Sequence, residues 1–149
     1  MPLRNPPGTR ADSDAYFHRM LRGETAPPPV ATLLGAEVVA LDLDGGRLEV
    51  RYQGQDSFRN PAGQVAGGMV SAMLDDLTAC LVDATLEPGR AVVTLSLNVS
   101  FLRPARVGPL HGVATLVRRG RELCHVNGML QQDGKDVAWA VALCKVVET

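Results

Sequence analysis

The chain has 149 residues, 46% hydrophobic and 21% charged, which is about one domain's worth of sequence and enough to bury a core without disulfide or metal staples. Fifteen Lys+Arg against 16 Asp+Glu give a formal net charge of −1, so the basic excess expected of a nucleic-acid partner is missing. No apolar run approaches the roughly 18 residues of a membrane span, and the longest candidate, residues 137–144, has the length of a strand.

Cys80, Cys124 and Cys144 sit among apolar residues in no metal-ligand spacing and are expected to be reduced core thiols. The opening residues lack the apolar stretch of a secretory signal. Together these features point to the cytoplasm.

Residues 1–12 are Pro-rich and aperiodic and read as a frayed tail. Asp12 or Ser13 is placed to cap a short helix reaching Leu21, with Tyr16, Phe17, Met20 and Leu21 on one side and Gly23 as its stop. Pro27-Pro28-Pro29 makes a stiff connector. Residues 1–28 are therefore taken as a tail with a short helix, and residues 29–149 as the domain proper.

Residues 32–43 and 47–52 read as strands joined by the Asp44-Gly45-Gly46 turn. A polar loop over residues 53–66 leads into residues 67–86, the one long helical segment, whose wide apolar face carries Met69, Val70, Met73, Leu77, Cys80, Leu81 and Ala84. Four more strands follow near residues 92–102, 108–118, 122–131 and 135–147. The expected class is α+β, an antiparallel sheet packed on one helix. Thr94, Ser96, Asn98 and Ser100 alternate with Leu95, Leu97, Val99 and Phe101 as in a half-buried strand, and Trp139 is expected in the core.

At 100° per residue, the helix face opposite the apolar stripe carries Gly68, Ala72, Asp75 and Ala79. Small residues there allow close approach of a ligand or of another backbone, and both readings stay open; Asp75 is the single charge among them. Asp76 and Asp83 are expected at a solvated or hydrogen-bonded edge. Gly67-Gly68 opens the helix and exposes amides at its positive end, suited to polarising a carbonyl or to a tight loop entry. Gly67 and Asp75 stand about 12 Å apart along the axis, too far to serve one carbon within a single protomer. If the two act together, antiparallel helices across a two-fold would bring Gly67 of one copy against Asp75 of the other.

Asn60-Pro61-Ala62-Gly63-Gln64-Val65-Ala66-Gly67-Gly68-Met69, running into Leu74-Asp75-Asp76, resembles the loop and central helix of the hotdog-fold acyl-CoA thioesterases of the phenylacetate-degradation (PaaI-like) type. Residues 94–108, with the Leu102-Arg103-Pro104-Ala105 turn, are similar to that family's next strand, and the likeness extends over residues 33–147. The resemblance implies a homodimer joined through its sheets, often a tetramer, and an acyl-CoA substrate. It implies Asp75 as general base or nucleophile, the Gly67 N–H and Asn60 as carbonyl-polarising groups, and Thr94 as the hydroxyl that orients acid or water. Gly68 and Ala66 would flank the substrate, although the family commonly has histidine where this chain has Ala66. No metal or cofactor is implied beyond the CoA of the substrate.

Arg103, Arg106, Arg118, Arg119 and Arg121 gather at two turns expected to adjoin, and Arg103 and Arg106 suit CoA phosphates. Strand-end arginines also solvate sheet edges. His18, His111 and His125 form neither a zinc set nor a triad. Two other readings accompany hydrolysis. One is a non-catalytic acyl-CoA or small-ligand binding module, prompted by Ala66; the other is a hydratase, for which no histidine lies in the motif.

Overall fold

The computed structural model describes residues 8–149; the tail expected over residues 1–12 lies outside the described residues as far as residue 7. Three helices, α1 (Tyr16–Leu21), α2 (Pro29–Leu33) and α3 (Gly67–Asp83), accompany six strands: β1 (Glu37–Asp42), β2 (Arg47–Gly54), β3 (Arg90–Phe101), β4 (Gly108–Arg119), β5 (Leu123–Gln132) and β6 (Lys135–Glu148). The strands form one antiparallel sheet in the order β1-β2-β4-β5-β6-β3. The sheet wraps α3 in the hotdog arrangement.

Val70, Met73, Leu74, Leu77 and Leu81 of α3 are 2% exposed or less. Each such side chain contributes about 1.5–3 kcal/mol on burial. Small residues on the concave side of the sheet let the helix come close. A Cβ at Gly112 would lie 3.0 Å from Leu77 Cδ2, and one at Gly128 would lie 3.0 Å from Thr78 Cγ2. Ala138, Ala140 and Ala142 of β6 are also fully buried. Tight turns fix the register. Asp42 Oδ1 accepts from the Gly45 N–H at 2.9 Å between β1 and β2. Asp133 and Gly134, at φ 51° and 75°, make the two-residue link between β5 and β6.

α1 packs into the same core, with Phe17 and Leu21 buried. Its His18 is fully buried, and Nδ1 accepts from the Arg10 N–H at 3.0 Å. Nε2 therefore carries the proton and donates to Ala84 O at 2.8 Å. Burial, outweighing that bond, holds the ring below its ordinary pKa.

Several expectations are corrected. The strand expected over residues 32–43 begins only at Glu37, because Pro29 occupies the first turn of a helix and presets its φ. That helix closes with the Leu34 N–H donating to Val30 O at 3.0 Å, followed by Gly35 at φ 61°. The N-cap of α1 is Ala15, not Asp12 or Ser13; Ser13 Oγ instead accepts from the Ala15 N–H at 3.2 Å in the preceding turn. α3 stops at Asp83 rather than 86, since the Thr85 and Leu86 amides turn to carbonyls three residues back.

β3 carries a bulge between Thr94 and Ser96, so the expected alternation breaks. Thr94 is drawn toward α3, while Leu95 and Phe101 are 52% and 56% exposed. Trp139 is 40% exposed rather than core, opposite Ser100 of β3. The two arginine turns do not adjoin. β3 pairs with β6 instead of β4, so Arg103 and Arg106 lie near the β5–β6 turn, at the end of β4 opposite to Arg118 and Arg119.

Candidate active site

The loop before α3 is built around Asn60. Its Oδ1 accepts from the Ala62 and Gln64 amides at 3.0 and 3.1 Å, an Asx arrangement that closes the turn. Both carboxamide hydrogens on Nδ2 then remain available for a ligand. Ala66 caps the helix, its N–H donating to Phe58 O at 2.8 Å and its carbonyl accepting from Met69 and Val70. Gly67 and Gly68 are the first helical residues, and their amides belong to the set that a helix leaves without internal partners, at its positive end.

Phe101 gives Gly67 a second constraint. A Cβ at 67 would stand 3.2 Å from the Phe101 ring, whereas one at Gly68 would meet nothing within 4 Å. Asn60, Gly67, Phe101, Leu102 and Arg103 line one shallow groove of about 360 Å³. Arg103 Nη1 donates to Asp136 O at 2.8 Å along its rim.

Asp75 projects from the middle of α3 toward β3, where Thr94 Oγ1 donates to its Oδ1 at 2.8 Å. Both residues are half-buried. Across the ladder Thr94 faces Cys144, whose thiol is pushed up by burial. Neither Asp75 nor Thr94 lines the Asn60–Gly67 groove. The residues singled out in the sequence thus fall into two clusters, one at the N-terminus of α3 and one a little over two turns along it.

Arg106 is occupied by its turn. Its guanidinium meets the Asp133 carboxylate, and its N–H donates to Gln132 Oε1 at 2.8 Å. Asp76 is the structural carboxylate, held by the Tyr52 hydroxyl at 2.6 Å and kept above the usual carboxylate range by burial. Asp83 is pushed up to about 6 by burial. The contact of Phe101 with Gly67 and the Tyr52–Asp76 bond were not anticipated from the sequence. Both contacts join residues far apart in sequence.

Among the described residues no group of three or more His, Cys, Asp or Glu is arranged to hold a metal ion. No described helix is long and apolar enough to cross a membrane.

A family model described as Thioesterase superfamily matches residues 62–138. The fold overlays the crystal structure of a phenylacetic acid degradation-related protein from Ralstonia eutropha JMP134, provisionally assigned as a thioesterase. That match has a TM-score of 0.86 and 58% identity, covering 87% of this chain and 98% of that one. A Bacillus halodurans protein solved with CoA overlays with a TM-score of 0.71 and 30% identity, over 81% of this chain and 77% of that one. A curated Haemophilus influenzae protein, provisionally assigned as an esterase, is 30% identical over 60% of this chain, and the match spans 64% of that protein's length. The chain belongs to the thioesterase superfamily, a group of thioester hydrolases.

Proposed function

We propose that the chain hydrolyses an acyl-CoA thioester to a carboxylic acid and free CoA. Superfamily membership supports the reaction class, and the CoA held by the Bacillus halodurans neighbour supports CoA as the thiol half. The observation that carries the reading is the 2.8 Å bond from Thr94 Oγ1 to Asp75 Oδ1. It fixes one carboxylate oxygen and leaves the other free to act.

Asp75 takes a proton from water as the water oxygen adds to the acyl carbon, or adds to that carbon itself to give an anhydride that water then opens. In either route the carbon–sulfur bond breaks with its electron pair on the CoA sulfur. The Gly67 N–H and Asn60 Nδ2 stabilise the negative charge that develops on the carbonyl oxygen. Because Gly67 and Asp75 are about 12 Å apart along α3, the reading takes the donors from one copy and the carboxylate from another, in a homodimer or a tetramer of such dimers. In this reading Gly68 and Ala66 flank the carbonyl, and Arg103 and Arg106 contact the CoA phosphates, Arg106 by exchanging its Asp133 carboxylate for a phosphate. The chemistry requires no metal or added cofactor, and the enzyme is placed in the cytoplasm.

The test is release of free thiol from short-chain, long-chain and aryl acyl-CoAs, with Asp75→Ala alongside. The reading predicts turnover by the parent and its loss in the variant; full activity in the variant would refute the mechanism. One observation favours a second reading. The methyl of Ala66 stands where the family resemblance places an imidazole, and it offers no hydrogen bond. Saturable acyl-CoA binding without thiol release would establish a binding module instead.

A further inference from the structure

Two neighbouring carboxylates of α3 are gripped from opposite flanks of the helix. Asp75 accepts from Thr94 Oγ1 at 2.8 Å, on the edge strand β3. Asp76 accepts from the Tyr52 hydroxyl at 2.6 Å, on β2, and β4, β5 and β6 lie between those two strands in the sheet. Successive side chains on a helix diverge by about 100°, so one residue reaches toward each side of the concave sheet. The first grip holds the carboxylate of the proposed reaction; the second touches none of the reacting groups.

Tyr52 is fully buried, in the phase of Leu48 and Val50 that faces the core. A buried hydroxyl needs a partner, and Asp76 Oδ2 supplies it. The other oxygen, Oδ1, accepts from the Cys80 thiol, one turn further along, at 3.7 Å. Elsewhere α3 meets the sheet mainly through apolar side chains, over a floor that includes Gly112 and Gly128. Such contacts hold the helix down, but burial is non-directional and a hydrogen bond is not. The two carboxylate bonds therefore fix the rotation of α3 about its own axis more sharply than the apolar contacts do.

We propose that Tyr52 and Asp76 are positioning residues for thioester hydrolysis: their bond sets the roll of α3 and so the aim of Asp75. The inference rests on the reading that Asp75 carries that reaction. Carboxylate atoms stand about 5–6 Å from the helix axis, so a roll of about 10° moves them by about 1 Å. A displacement of that size parts Asp75 Oδ1 from Thr94 Oγ1 and costs on the order of 100-fold in rate. Removing the Tyr52 hydroxyl supplies the force. It leaves Asp76 with the weak Cys80 donor, and a carboxylate so placed regains hydrogen bonds by turning α3 toward water.

The test compares the parent with Tyr52→Phe, Asp76→Ala, Asp76→Asn and Leu86→Ala, the last a core truncation beyond the end of α3. Thiol-release kinetics, Tm and a crystal structure are measured for each. Tyr52→Phe and Asp76→Ala are each expected to lower kcat about tenfold or more, with KM within about twofold of the parent. Asp76→Asn still accepts from the Tyr52 hydroxyl through its carboxamide oxygen and should keep kcat within about threefold. Leu86→Ala should lower Tm and leave kcat unchanged. In the Tyr52→Phe crystal the Thr94–Asp75 separation should exceed about 3.5 Å. The inference is overturned if that separation stays at 2.8 Å, if Tyr52→Phe and Asp76→Ala keep the parent's kcat, if Asp76→Asn loses as much as Asp76→Ala, or if Leu86→Ala lowers kcat in step with Tm. Absence of turnover by the parent would defeat the hydrolysis reading alone, and the Thr94–Asp75 separation would then decide this one. Should Tyr52→Phe fail to fold, Asp76→Ala carries the same measurements.

Discussion

Replacing Asp83 by Asn gives a stability change whose sign and size follow from the structure. Burial raises this carboxyl from its ordinary 3.8 to about 6 in the folded protein. Each unit is worth 1.36 kcal/mol, so the folded state bears a penalty of about 3 kcal/mol wherever the group is ionised both folded and unfolded. The shift is upward, so the folded state holds its proton more tightly than the unfolded chain does. The penalty is therefore full above the folded value, shrinks as pH falls through about 6, and vanishes below about 3.8. Asn keeps the volume and removes the charge. Urea unfolding should find Asp83→Asn more stable than the parent by about 3 kcal/mol near pH 8, with the gap narrowing to about 1 kcal/mol near pH 4.5. Asp76 titrates in the same direction and His18 in the opposite one, but both are present in the two proteins and cancel in the difference. A gap independent of pH, or one that widens toward acid, would refute the reasoning.

Thr94→Val removes the donor to Asp75 Oδ1 while keeping the side-chain shape. Hydrogen bonds to charged groups are worth about 1.5–3 kcal/mol, so kcat should fall about 10- to 100-fold with KM little changed in steady-state thiol-release kinetics. Gly67→Ala places a Cβ 3.2 Å from the Phe101 ring, which must push ring and helix start apart. A drop in kcat/KM of about 100-fold is expected, partly recovered when Phe101→Leu is added. Gly128→Val drives a branched side chain into Thr78 and Leu74 of α3. Denaturation should register a loss of about 1–3 kcal/mol or more.

The fold was legible where sequence periods were long and turn chemistry was local. The Gly67 helix, the Asp44-Gly45-Gly46 hairpin and the Asp133-Gly134 turn follow from residues within a few positions of one another. α2 was missed because a single helical turn begun by Pro29 leaves too few residues for a period to register. The order of strands was also beyond reach, since nothing local tells β3 to leave β4 and pair with β6. That one fact separated the two arginine groups that the sequence seemed to unite. Phe101 keeps the phase of Leu97 and Val99, opposite buried Ala138, but as the last residue of β3 it runs past the core and lies exposed against Gly67 at the start of α3.

In the candidate site, the resemblance offered Thr94 as the hydroxyl orienting either the acid or water, and the structure bonds it to Asp75; Asn60, Gly67 and Arg103 were named and share one groove. Asp83 was read as a solvated or hydrogen-bonded edge. Its carboxyl sits partly buried at such an edge, and the burial that pushes it up to about 6 depends on tertiary packing that no helical wheel records.

The central claim is that Asp75 carries thioester hydrolysis, and the most direct measurement compares the parent and Asp75→Asn for thiol release from a panel of acyl-CoAs. The account predicts turnover by the parent and a fall of at least about a thousandfold in the variant, with acyl-CoA binding retained. Equal rates from the two proteins, or no turnover by the parent on any acyl-CoA it binds, would contradict it.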